Sequence, residues 1–488
     1  SRDILENHFV LPTYATYNNV QIPFAYPPLA LYLAAFMTNA TGIPLIEVYR
    51  WLPAIMSTLT IIPFFLLAKR ILRTSLQALI ATLVFALVPR SMLWMIMGGG
   101  ITRSLGFFFA LFTLWQVHVL YVERKGGTII AVVLLASLTI LSHTEMAWFT
   151  LLSVFVMWVF YGRSFEATSA SFIVAGGVIF ATALWWISVV GAHGIQPFVS
   201  AFGASGDLNP LLWILSRRNF SDEPMLAQLA ILGLLGIFVS IALNRWFLPV
   251  WVVALFTLNT RSAGTTTMVP LMMGLALTVD LIILRTFTRM SASRWPTFRI
   301  PWNNQRLRLH WIPSILVCAV MVAYALASIS NLPRYFGSEL YSLDETNQVF
   351  MQWISNNTPP TGRFAVVTSS AGWEVDAISE WFPTITQRIS VGTVQGTEWL
   401  PADAFRQSVT DYFDLQLCAA LDVRCLETWA TNRGRPYNYV YVASTVTGAL
   451  VTSLETDPDY RFLLEVSGVK LYEFTRATEL FGLPPAAA

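Results

Sequence analysis

The sequence predicts a polytopic α-helical membrane protein with a C-terminal α/β domain, and three observations support this class. Only 12% of the 488 residues are Asp, Glu, Lys or Arg, about half of the ~25% share in soluble domains. The chain carries 18 Trp and 33 Phe, and aromatic rings concentrate at membrane interfaces. Long apolar segments fill the chain before residue 332 and then become short. The composition excludes a simple soluble enzyme, a secreted disulfide scaffold and a disordered chain. The net charge of +2 suggests no nucleic-acid partner.

The apolar segments define the predicted spans, since a spanning helix needs about 20 mainly apolar residues. About ten spans are expected, at residues 47–68, 75–89, 104–121, 128–142, 145–161, 168–190, 225–243, 246–259, 266–284 and 311–331. Residues 1–46 are then a first outer loop, 47–331 a transmembrane domain and 332–488 an extracytoplasmic domain. Because the sequence starts in a polar stretch assigned to the outside, one more span is expected upstream of Ser1.

Basic residues orient the predicted spans. One set of alternating loops holds thirteen Lys and Arg against Glu123 and Glu166, and residues 285–310 alone carry six Arg and no acid. Cytoplasmic loops are enriched in Lys and Arg, so this side is predicted to be the cytoplasm. The opposite side receives 1–46, a long loop at 191–224 and the C-terminal domain, whose 18 acids and 10 bases give a net charge of −8. A multi-pass protein of the plasma membrane is expected.

The C-terminal domain is predicted to be α/β. A helix is expected from Asp344 to Asn356, with Val349, Phe350, Trp353 and Ile354 on one face. The β-branched and aromatic runs 364–368 and 439–443 predict strands. Residues 462–474, with Ser467-Gly468 at the centre, predict a hairpin.

Cys418 and Cys425 are seven residues apart in the domain assigned to the outside. An oxidising compartment favours a disulfide between them. The alternative is two packed thiols on a helical segment.

Several ionisable residues lie at the predicted outer ends of the spans, where each is a functional candidate. His143 and Glu145 occupy a short turn between two spans, and Arg103 follows a run of three glycines. Three further arginines on this side, Arg217, Arg218 and Arg261, are also functional candidates. Each has a structural alternative: Arg103 can snorkel to lipid headgroups, and the loop arginines can belong to an ordinary solvated loop.

Carboxylates beside an imidazole can act as a general base or bind a divalent metal. Arginine pairs bidentately with phosphate. The combination at a membrane boundary suits a lipid-linked phosphosugar, and a transporter is the competing interpretation. Against a transporter, the polar residues gather at one face rather than at the midplane, and no internal repeat is visible.

The segment Phe24-Ala25-Tyr26-Pro27-Pro28-Leu29-Ala30-Leu31-Tyr32-Leu33 resembles the Tyr-Pro-Pro-Leu segment in the first outer loop of GT-C type glycosyltransferases, which include protein mannosyltransferases and oligosaccharyltransferases. After the two prolines, an amphipathic helix of about 12 residues is too short to span and is expected at the membrane surface. The resemblance implies a GT-C-like fold and a polyprenyl-phosphate sugar as donor. Arg103, Arg217, Arg218 and Arg261 are the candidates to bind the donor phosphate.

The same resemblance implies a catalytic acid in the first outer loop. This chain offers Asp3 and Glu6 there, unless the expected acid lies upstream of Ser1. The second acidic motif of oligosaccharyltransferases is not present as such, and His143 and Glu145 occupy its place along the chain. They are the candidates for general base and for ligands of a divalent metal (Mg or Mn), although no cofactor is certain.

The stretch Gly372-Trp373-Glu374-Val375-Asp376, with Glu380 and Trp381 after it, is similar to the Trp-Trp-Asp motif that binds the acceptor in oligosaccharyltransferases. Trp373, Asp376, Glu380 and Trp381 are therefore the acceptor-binding candidates, and the alternative is a domain core with a helix-capping acid. The expected function is sugar transfer from a polyprenyl-phosphate donor to an extracytoplasmic protein, glycan or lipid. A non-catalytic GT-C-fold subunit or scaffold of a larger membrane complex is the second hypothesis.

Overall fold

The computed structural model describes residues 1–97, 100–203, 228–259, 262–286, 343–370 and 372–484, and short pieces between 298 and 327. The chain divides into two compact units. The helical unit comprises residues 1–5, 26–187 and 205–337, and the C-terminal unit comprises 6–25, 188–204 and 338–488.

Helices dominate the helical unit. In chain order they are α1 (Arg2–Glu6), α2 (Leu29–Thr41), α3 (Leu45–Leu59), α4 (Ile61–Ile71), α5 (Ser75–Leu87), α6 (Pro89–Ile96), α7 (Ile101–Glu123), α8 (Gly127–Ser142), α9 (Thr144–Tyr161) and α10 (Phe165–His193), followed by α11 (Gln196–Gly203) of the C-terminal unit. The helical unit continues with α12 (Gln228–Ala242), α13 (Phe247–Leu258), α14 (Ala263–Thr266) and α15 (Met268–Thr278), which runs into a π-helical turn at Val279–Leu284. Two short antiparallel ladders lie outside the main sheet: β1 (Tyr14–Ala15) pairs with β2 (Ile22–Pro23), and β3 (Phe298–Arg299) pairs with β4 (Arg306–Leu307).

Among the described residues, five helical segments are long and apolar enough to cross a membrane: Leu45–Ile71, Ile101–Glu123, Thr144–Tyr161, Phe165–His193 and Ala263–Leu284. The pair α5 and α6, which is bent by 48° at Val88, makes a sixth if it is counted as one broken span. The predicted spans at 128–142, 225–243 and 246–259 coincide with shorter apolar helices, α8, α12 and α13. The tenth, 311–331, falls almost wholly outside the described residues, so a count of ten stays a prediction.

The basic loops come together at one end of the helical unit. Arg70 and Lys125 both pair with Glu123, and Arg124 lies 3.6 Å from Glu166. These residues belong to the connections after α4, α7 and α9, which the sequence assigns to one side of the membrane. The contacts agree with that assignment.

Two polar residues inside the predicted spans contact side chains of neighbouring helices. The Nε2 of Gln77 donates to Oδ2 of Asp280 at 2.7 Å, which ties α5 to the end of the last described span. His118 is buried and its ring meets Tyr161 edge-on at 4.9 Å.

Glycines allow α12 and α15 to pack in close backbone contact. A Cβ atom added at Gly236 would lie 1.7 Å from the carbonyl oxygen of Gly274, and one added at Gly274 would lie 2.8 Å from the carbonyl oxygen of Gly233. Small residues at a helix interface let backbones approach in this way. Close backbone packing therefore joins α12 to α15, together with a hydrogen bond from the Thr278 hydroxyl to the carbonyl oxygen of Leu232 at 2.7 Å.

The C-terminal unit is built on a five-stranded mixed sheet. Its strands are β5 (Arg363–Val367), β6 (Ile389–Ser390), β7 (Tyr439–Val442), β8 (Tyr460–Val466) and β9 (Val469–Phe474), in the spatial order β6-β5-β7-β9-β8. β5 is parallel to β6 and β7, and β9 is antiparallel to β7 and β8. The helices are α16 (Glu345–Asn357), α17 (Ala377–Thr386), α18 (Ala402–Leu417), α19 (Val423–Arg433), α20 (Ala449–Thr456) and α21 (Ala477–Phe481).

Alternate residues of each strand face two separate cores. Phe364, Val366 and Tyr441 pack with α16 and α17, and Ala365, Val367 and Val440 pack with α18, α19 and α20. The central strands are thus covered on both faces, which explains their uninterrupted apolar sequences.

The predicted strands and the hairpin are confirmed. Val466 pairs with Val469 across the turn, where Ser467 and Gly468 both have positive φ, 50° and 86°, as a two-residue hairpin of type I′ requires. The predicted helix is also present, with Asp344 as its N-cap. Its predicted face was wrong at one position, because Val349 is 58% exposed while Met351 is buried.

Residues 6–25 and 188–204 belong to the C-terminal unit although the sequence places them in two separate loops. The side chain of Asn18 makes a reciprocal pair of hydrogen bonds with the backbone of Ser390 on edge strand β6, at 2.8 and 2.7 Å. The Tyr17 hydroxyl donates to the carbonyl oxygen of Glu380 at 2.7 Å. His193 Nε2 lies 2.7 Å from the carbonyl oxygen of Thr13. These three segments therefore lie on one side of any membrane that the chain crosses.

Cys418 and Cys425 form the predicted disulfide, with their Cα atoms 5.5 Å apart. It closes the connection between α18 and α19. Cys418 is fully buried in the core beneath the sheet, whereas Cys425 is partly exposed.

Candidate functional site

The turn between α8 and α9 places His143 against the start of α7. His143 has extended backbone geometry (φ −160°, ψ 128°) and precedes the first turn of α9. Its Cβ would lie 2.9 Å from a Cβ added at Gly106, so the close approach of α7 requires glycine there. The buried imidazole also faces the ring of Tyr26 edge-on at 6.1 Å. The Tyr26 hydroxyl in turn hydrogen-bonds Thr102 at 3.0 Å.

Glu145 occupies the first turn of α9, where the helix dipole favours a negative charge. Its Oε2 accepts a hydrogen bond from the hydroxyl of Ser262. Ser262 precedes α14 in a buried polar turn, in which the Asn259 amide donates to the Thr266 hydroxyl at 3.1 Å. The carboxylate is therefore fixed to the turn that precedes the last described span.

Arg103 lies in the first turn of α7, next to Thr102. Its guanidinium carbon is 4.3 Å above the ring of Trp94 on α6, a cation–π contact. Its Nη2 donates to the carbonyl oxygen of Met97. These contacts keep a positive charge close to the glycine-rich connection between α6 and α7.

All of these residues lie at the same end of the helical unit. α7 and α9 begin there, α8 ends there, and α14 starts the last described span from there. The basic connections lie at the opposite ends of the same helices, after Ile71, Glu123 and Tyr161. We refer to Tyr26, Thr102, Arg103, His143, Glu145 and Ser262 as the polar cluster. It combines an imidazole, a carboxylate, a guanidinium and three hydroxyl groups.

His143 and Glu145 are predicted metal ligands, but the part of the chain that the structure describes offers no third ligand beside them. Among those residues no group of three or more His, Cys, Asp and Glu could hold a metal ion. The described side chains thus do not form a metal site by themselves, and we assign no chemical step to a metal.

The other predicted catalytic acids lie on the short helix α1. Asp3 is half-buried and belongs to the helical unit, whereas Glu6 is exposed and belongs to the C-terminal unit. Three of the predicted phosphate-binding arginines, Arg217, Arg218 and Arg261, lie outside the described residues.

The predicted acceptor-binding residues surround the start of α17. Asp376 is its N-cap and is 4% exposed. Its carboxylate accepts hydrogen bonds from the Ser379 amide and hydroxyl (3.0 and 2.7 Å), the Thr368 hydroxyl (2.6 Å) and the Tyr412 hydroxyl (2.8 Å). This is the helix-capping alternative that the sequence left open for an acid in this stretch.

The neighbouring predicted residues are less enclosed. Trp373 is 9% exposed and meets Phe405 edge-on at 5.8 Å, while Glu380 and Trp381 are half-buried. The carbonyl oxygen of Glu380 accepts the Tyr17 hydroxyl at 2.7 Å. Glu380 and Trp381 are therefore the members of this set with side-chain surface left for a ligand.

Burial and negative charge keep two tyrosines of this region protonated. Desolvation, followed by the charge of Asp376, raises the pKa of Tyr412 far above its usual value. Desolvation, followed by the charge of Glu380, likewise raises the pKa of Tyr17. Both hydroxyls thus remain hydrogen-bond donors at any physiological pH.

A second buried charge, Arg388, closes the other end of α17. Its guanidinium donates to the carbonyl oxygens of Ser355 (2.7 Å), Thr358 and Thr386 (3.1 Å) and to the Thr358 hydroxyl (3.1 Å). Desolvation lowers the pKa of this guanidinium, and these acceptors offset the burial of its charge. Arg388 therefore satisfies the carbonyl groups at the ends of α16 and α17.

Sequence reasoning does not identify Thr102 and Ser262 of the polar cluster, or Trp94, whose ring contacts Arg103. Thr102 and Ser262 are ordinary small polar residues near helix starts, without a pattern that separates them from capping residues. Trp94 reads as one more interfacial aromatic. Tyr26 begins the Tyr-Pro-Pro-Leu segment, and that segment is the one sequence feature that draws attention to Tyr26 and so to its contact with Thr102.

No protein-family model matches this sequence, and no curated protein does. Solved structures do match. The archaeal oligosaccharyltransferase AglB from Archaeoglobus fulgidus, in complex with an inhibitory peptide and a dolichol-phosphate, superposes with a TM-score of 0.53 and 13% identity over 97% of this chain and 69% of that chain. The Archaeoglobus fulgidus oligosaccharyltransferase tethered to an acceptor peptide containing the NVT sequon gives 0.52 and 14% identity, covering 95% and 67%. The same enzyme with Zn and sulfate gives 0.51 and 14% identity, covering 97% and 68%.

At this identity the likeness establishes architecture, not activity. It extends over nearly the whole chain, through both the helical and the C-terminal unit. The chain therefore has the fold of oligosaccharyltransferases, the GT-C fold.

Proposed function

We propose that this protein is a membrane glycosyltransferase that transfers a sugar from a polyprenyl-phosphate-linked donor to an acceptor outside the cytoplasm. The observation that carries the proposal is the polar cluster, which gathers a base, an acid and a cation at one end of a GT-C-fold helical unit. A structural role alone does not require these three chemistries together at the end opposite to the basic loops. The AglB structure with dolichol-phosphate supports the donor class.

Arg103 is the donor-phosphate ligand that the described contacts favour. It already lies on an aromatic ring at the helix start, and guanidinium groups bind phosphate bidentately. Arg217, Arg218 and Arg261 remain proposed partners of the same phosphate. The polyprenyl tail would stay in the bilayer beside the helices.

Glu145 and His143 are the proposed proton acceptors. In the reaction the acceptor oxygen forms a bond to the anomeric carbon while the bond from that carbon to the phosphate oxygen breaks. The acceptor proton passes to Glu145 or His143, and the polyprenyl phosphate leaves with the bonding electrons. A single displacement of this kind inverts the anomeric configuration. Asp3 and Glu6 are proposed as further first-loop acids.

The acceptor is proposed to bind the C-terminal unit near the start of α17. Glu380 and Trp381 offer the surface, and Trp373 and Asp376 shape the loop that presents it. The neighbour tethered to an acceptor peptide supports a peptide as one acceptor class, with glycan and lipid as the others. A disulfide and an acidic C-terminal domain favour placement of this unit outside the plasma membrane.

Glu145→Gln tests the proposal, because it keeps the size of the side chain and removes its charge. The full-length protein in lipid nanodiscs would receive a membrane lipid extract that contains polyprenyl-phosphate sugars, together with peptides and oligosaccharides as acceptors, and mass spectrometry would measure the free polyprenyl phosphate released. General-base catalysis contributes about 10²–10⁴-fold, so a loss of that size is expected.

Glu47→Gln is the matched control. Glu47 is also in the first turn of a membrane helix, α3, and pairs with Arg50 at 2.7 Å. It should release polyprenyl phosphate at the wild-type rate. If wild type and Glu145→Gln release the same amount, Glu145 is not the base; if wild type releases none, the protein is the non-catalytic subunit of the second hypothesis.

A further inference from the structure

A groove of about 700 Å³ lies on the C-terminal unit between the end of α18 and α19. Its lining includes Asp414, Leu421, Trp429 and the partly exposed Cys425 of the disulfide. The volume falls within the ~300–1,000 Å³ of small-molecule sites. None of the residues proposed above for the transfer reaction lines this groove.

The floor and the ends of the groove are held in place by contacts within the unit. The Trp429 indole donates to the carbonyl oxygen of Asp411 at 2.9 Å. At one end Arg433 pairs with Asp414. At the other end the disulfide and the Asp422 cap, which accepts the Cys425 amide at 3.2 Å, fix the connecting loop. A site whose walls are fixed in this way loses little conformational entropy on binding.

One wall presents polar groups that face outward. Arg424, Thr428 and Asn432 all line the groove, and their spacing of four residues places them on one side of α19. All three are exposed. Within the described residues no side-chain hydrogen bond or ion pair engages them. The facing wall is apolar, with Ala420 and the 53% exposed Leu421.

The charges of the lining cancel, since Asp414 and Asp422 balance Arg424 and Arg433. A phosphate or a nucleic acid would need an excess of positive charge. Planar carboxylate, amide and guanidinium groups beside an apolar surface instead match a sugar, whose hydroxyls take paired hydrogen bonds while its C–H face packs on apolar atoms.

We propose that this groove is a binding site for a neutral oligosaccharide of two or three sugar residues. The site is separate from the proposed transfer chemistry, and its occupancy can be measured without turnover. Through this groove the C-terminal unit would bind a glycan whether the protein is an enzyme or a scaffold.

The test uses the full-length protein in lipid nanodiscs, because sugar-headed detergents would compete for the groove. Saturation-transfer NMR would measure binding of four neutral trisaccharides: maltotriose, cellotriose, triacetylchitotriose and mannotriose. Binding of at least one is expected. The double variant Arg424→Ala/Asn432→Ala should weaken it at least tenfold, since a hydrogen bond to a charged group contributes that much.

Thr431→Ala is the control on the same helix, because Thr431 is exposed next to Asn432 but does not line the groove. It should bind like wild type. No binding of any of the four trisaccharides overturns the proposal, as does equal binding by the double variant. Preferential binding of glucose 1-phosphate over all four would overturn the neutral ligand class. Glu145→Gln should bind trisaccharide normally, so that failure of the transfer reaction and failure of this site are distinguishable.

Discussion

Replacing Asp376 by alanine is predicted to destabilise the C-terminal unit strongly, because four hydrogen bonds end on its carboxylate. Three of the donors are hydroxyls of buried residues, Thr368, Ser379 and Tyr412. The Thr368 hydroxyl keeps an alternative acceptor, Gln416 Oε1, at 3.2 Å. The hydroxyls of Ser379 and Tyr412 lose the acceptor that the structure gives them.

The cost follows from these contacts. An unsatisfied buried hydroxyl costs about 1–3 kcal/mol, and the loss of an N-cap costs about 0.5–2 kcal/mol. Two hydroxyls and one cap together give roughly 3–8 kcal/mol, which is a large part of the ~5–15 kcal/mol that stabilises a domain. A cost of this size would melt α17 or the whole C-terminal unit.

Hydrogen–deuterium exchange of the full-length protein in nanodiscs measures this loss on peptides from β5 and α17. Exchange in Asp376→Ala should be at least a hundredfold faster, since each 1.4 kcal/mol is a factor of ten. The control Glu374→Ala removes an exposed carboxylate two residues away and should leave exchange unchanged. Wild-type exchange in Asp376→Ala would refute the capping role and return Asp376 to the acceptor-binding candidates.

Three further predictions concern packing, the edge strand and pH. In Gly236→Ala the new Cβ atom would lie 1.7 Å from the carbonyl oxygen of Gly274, so the two helices must move apart until that distance is at least 3.0 Å. This costs about 1–3 kcal/mol, and the midpoint of thermal unfolding should fall. Gly176→Ala, with no atom within 4 Å of the new Cβ, should not lower the midpoint. Asn18→Ala loses two hydrogen bonds to β6, worth about 1 kcal/mol each, and should speed hydrogen–deuterium exchange in β6 about 30-fold; unchanged exchange would show that Asn18 does not stabilise β6. Desolvation raises the pKa of Tyr439 and of Tyr472 to about 12. Their contribution to stability is therefore complete below pH 10 and is lost between pH 10 and 12, by about 1.4 kcal/mol per pH unit for each tyrosine, which an alkaline unfolding series would show as a steepening loss above pH 10.

The local patterns of the C-terminal unit were readable from the sequence. Strands β5 and β7 are apolar on both faces, and the hairpin turn carries residues suited to positive φ, so their positions followed from short-range chemistry. Val349 shows the limit of that reasoning. Both Val349 and Met351 are apolar, and only the packing of α16 on the sheet decides which one is buried.

Contacts between residues far apart in the chain could not be predicted from the sequence. Asn18 and Ser390 are 372 residues apart, and an amide that pairs with an edge strand has no local signature. The same is true of the Glu145–Ser262 contact across 117 residues. For this reason the sequence places residues 1–46 in an outer loop of their own, and the attachment of residues 6–25 to the C-terminal unit is seen only in the structure.

Aromatic-acidic stretches carry two meanings that a sequence does not separate. The residues from Trp373 to Trp381 fit both an acceptor platform and a helix start. Four hydrogen bonds to the carboxylate assign Asp376 to the helix start, whereas acceptor binding by Glu380 and Trp381 stays a prediction.

A cryo-electron microscopy map of the protein purified with its native lipids would test the glycosyltransferase assignment. We expect phosphate density in contact with Arg103, close to Tyr26, His143 and Glu145, with a polyprenyl tail that runs from it into the bilayer. Side chains of Arg103, His143 and Glu145 that point to different faces of the helical unit, with no lipid phosphate among them, would contradict the glycosyltransferase assignment.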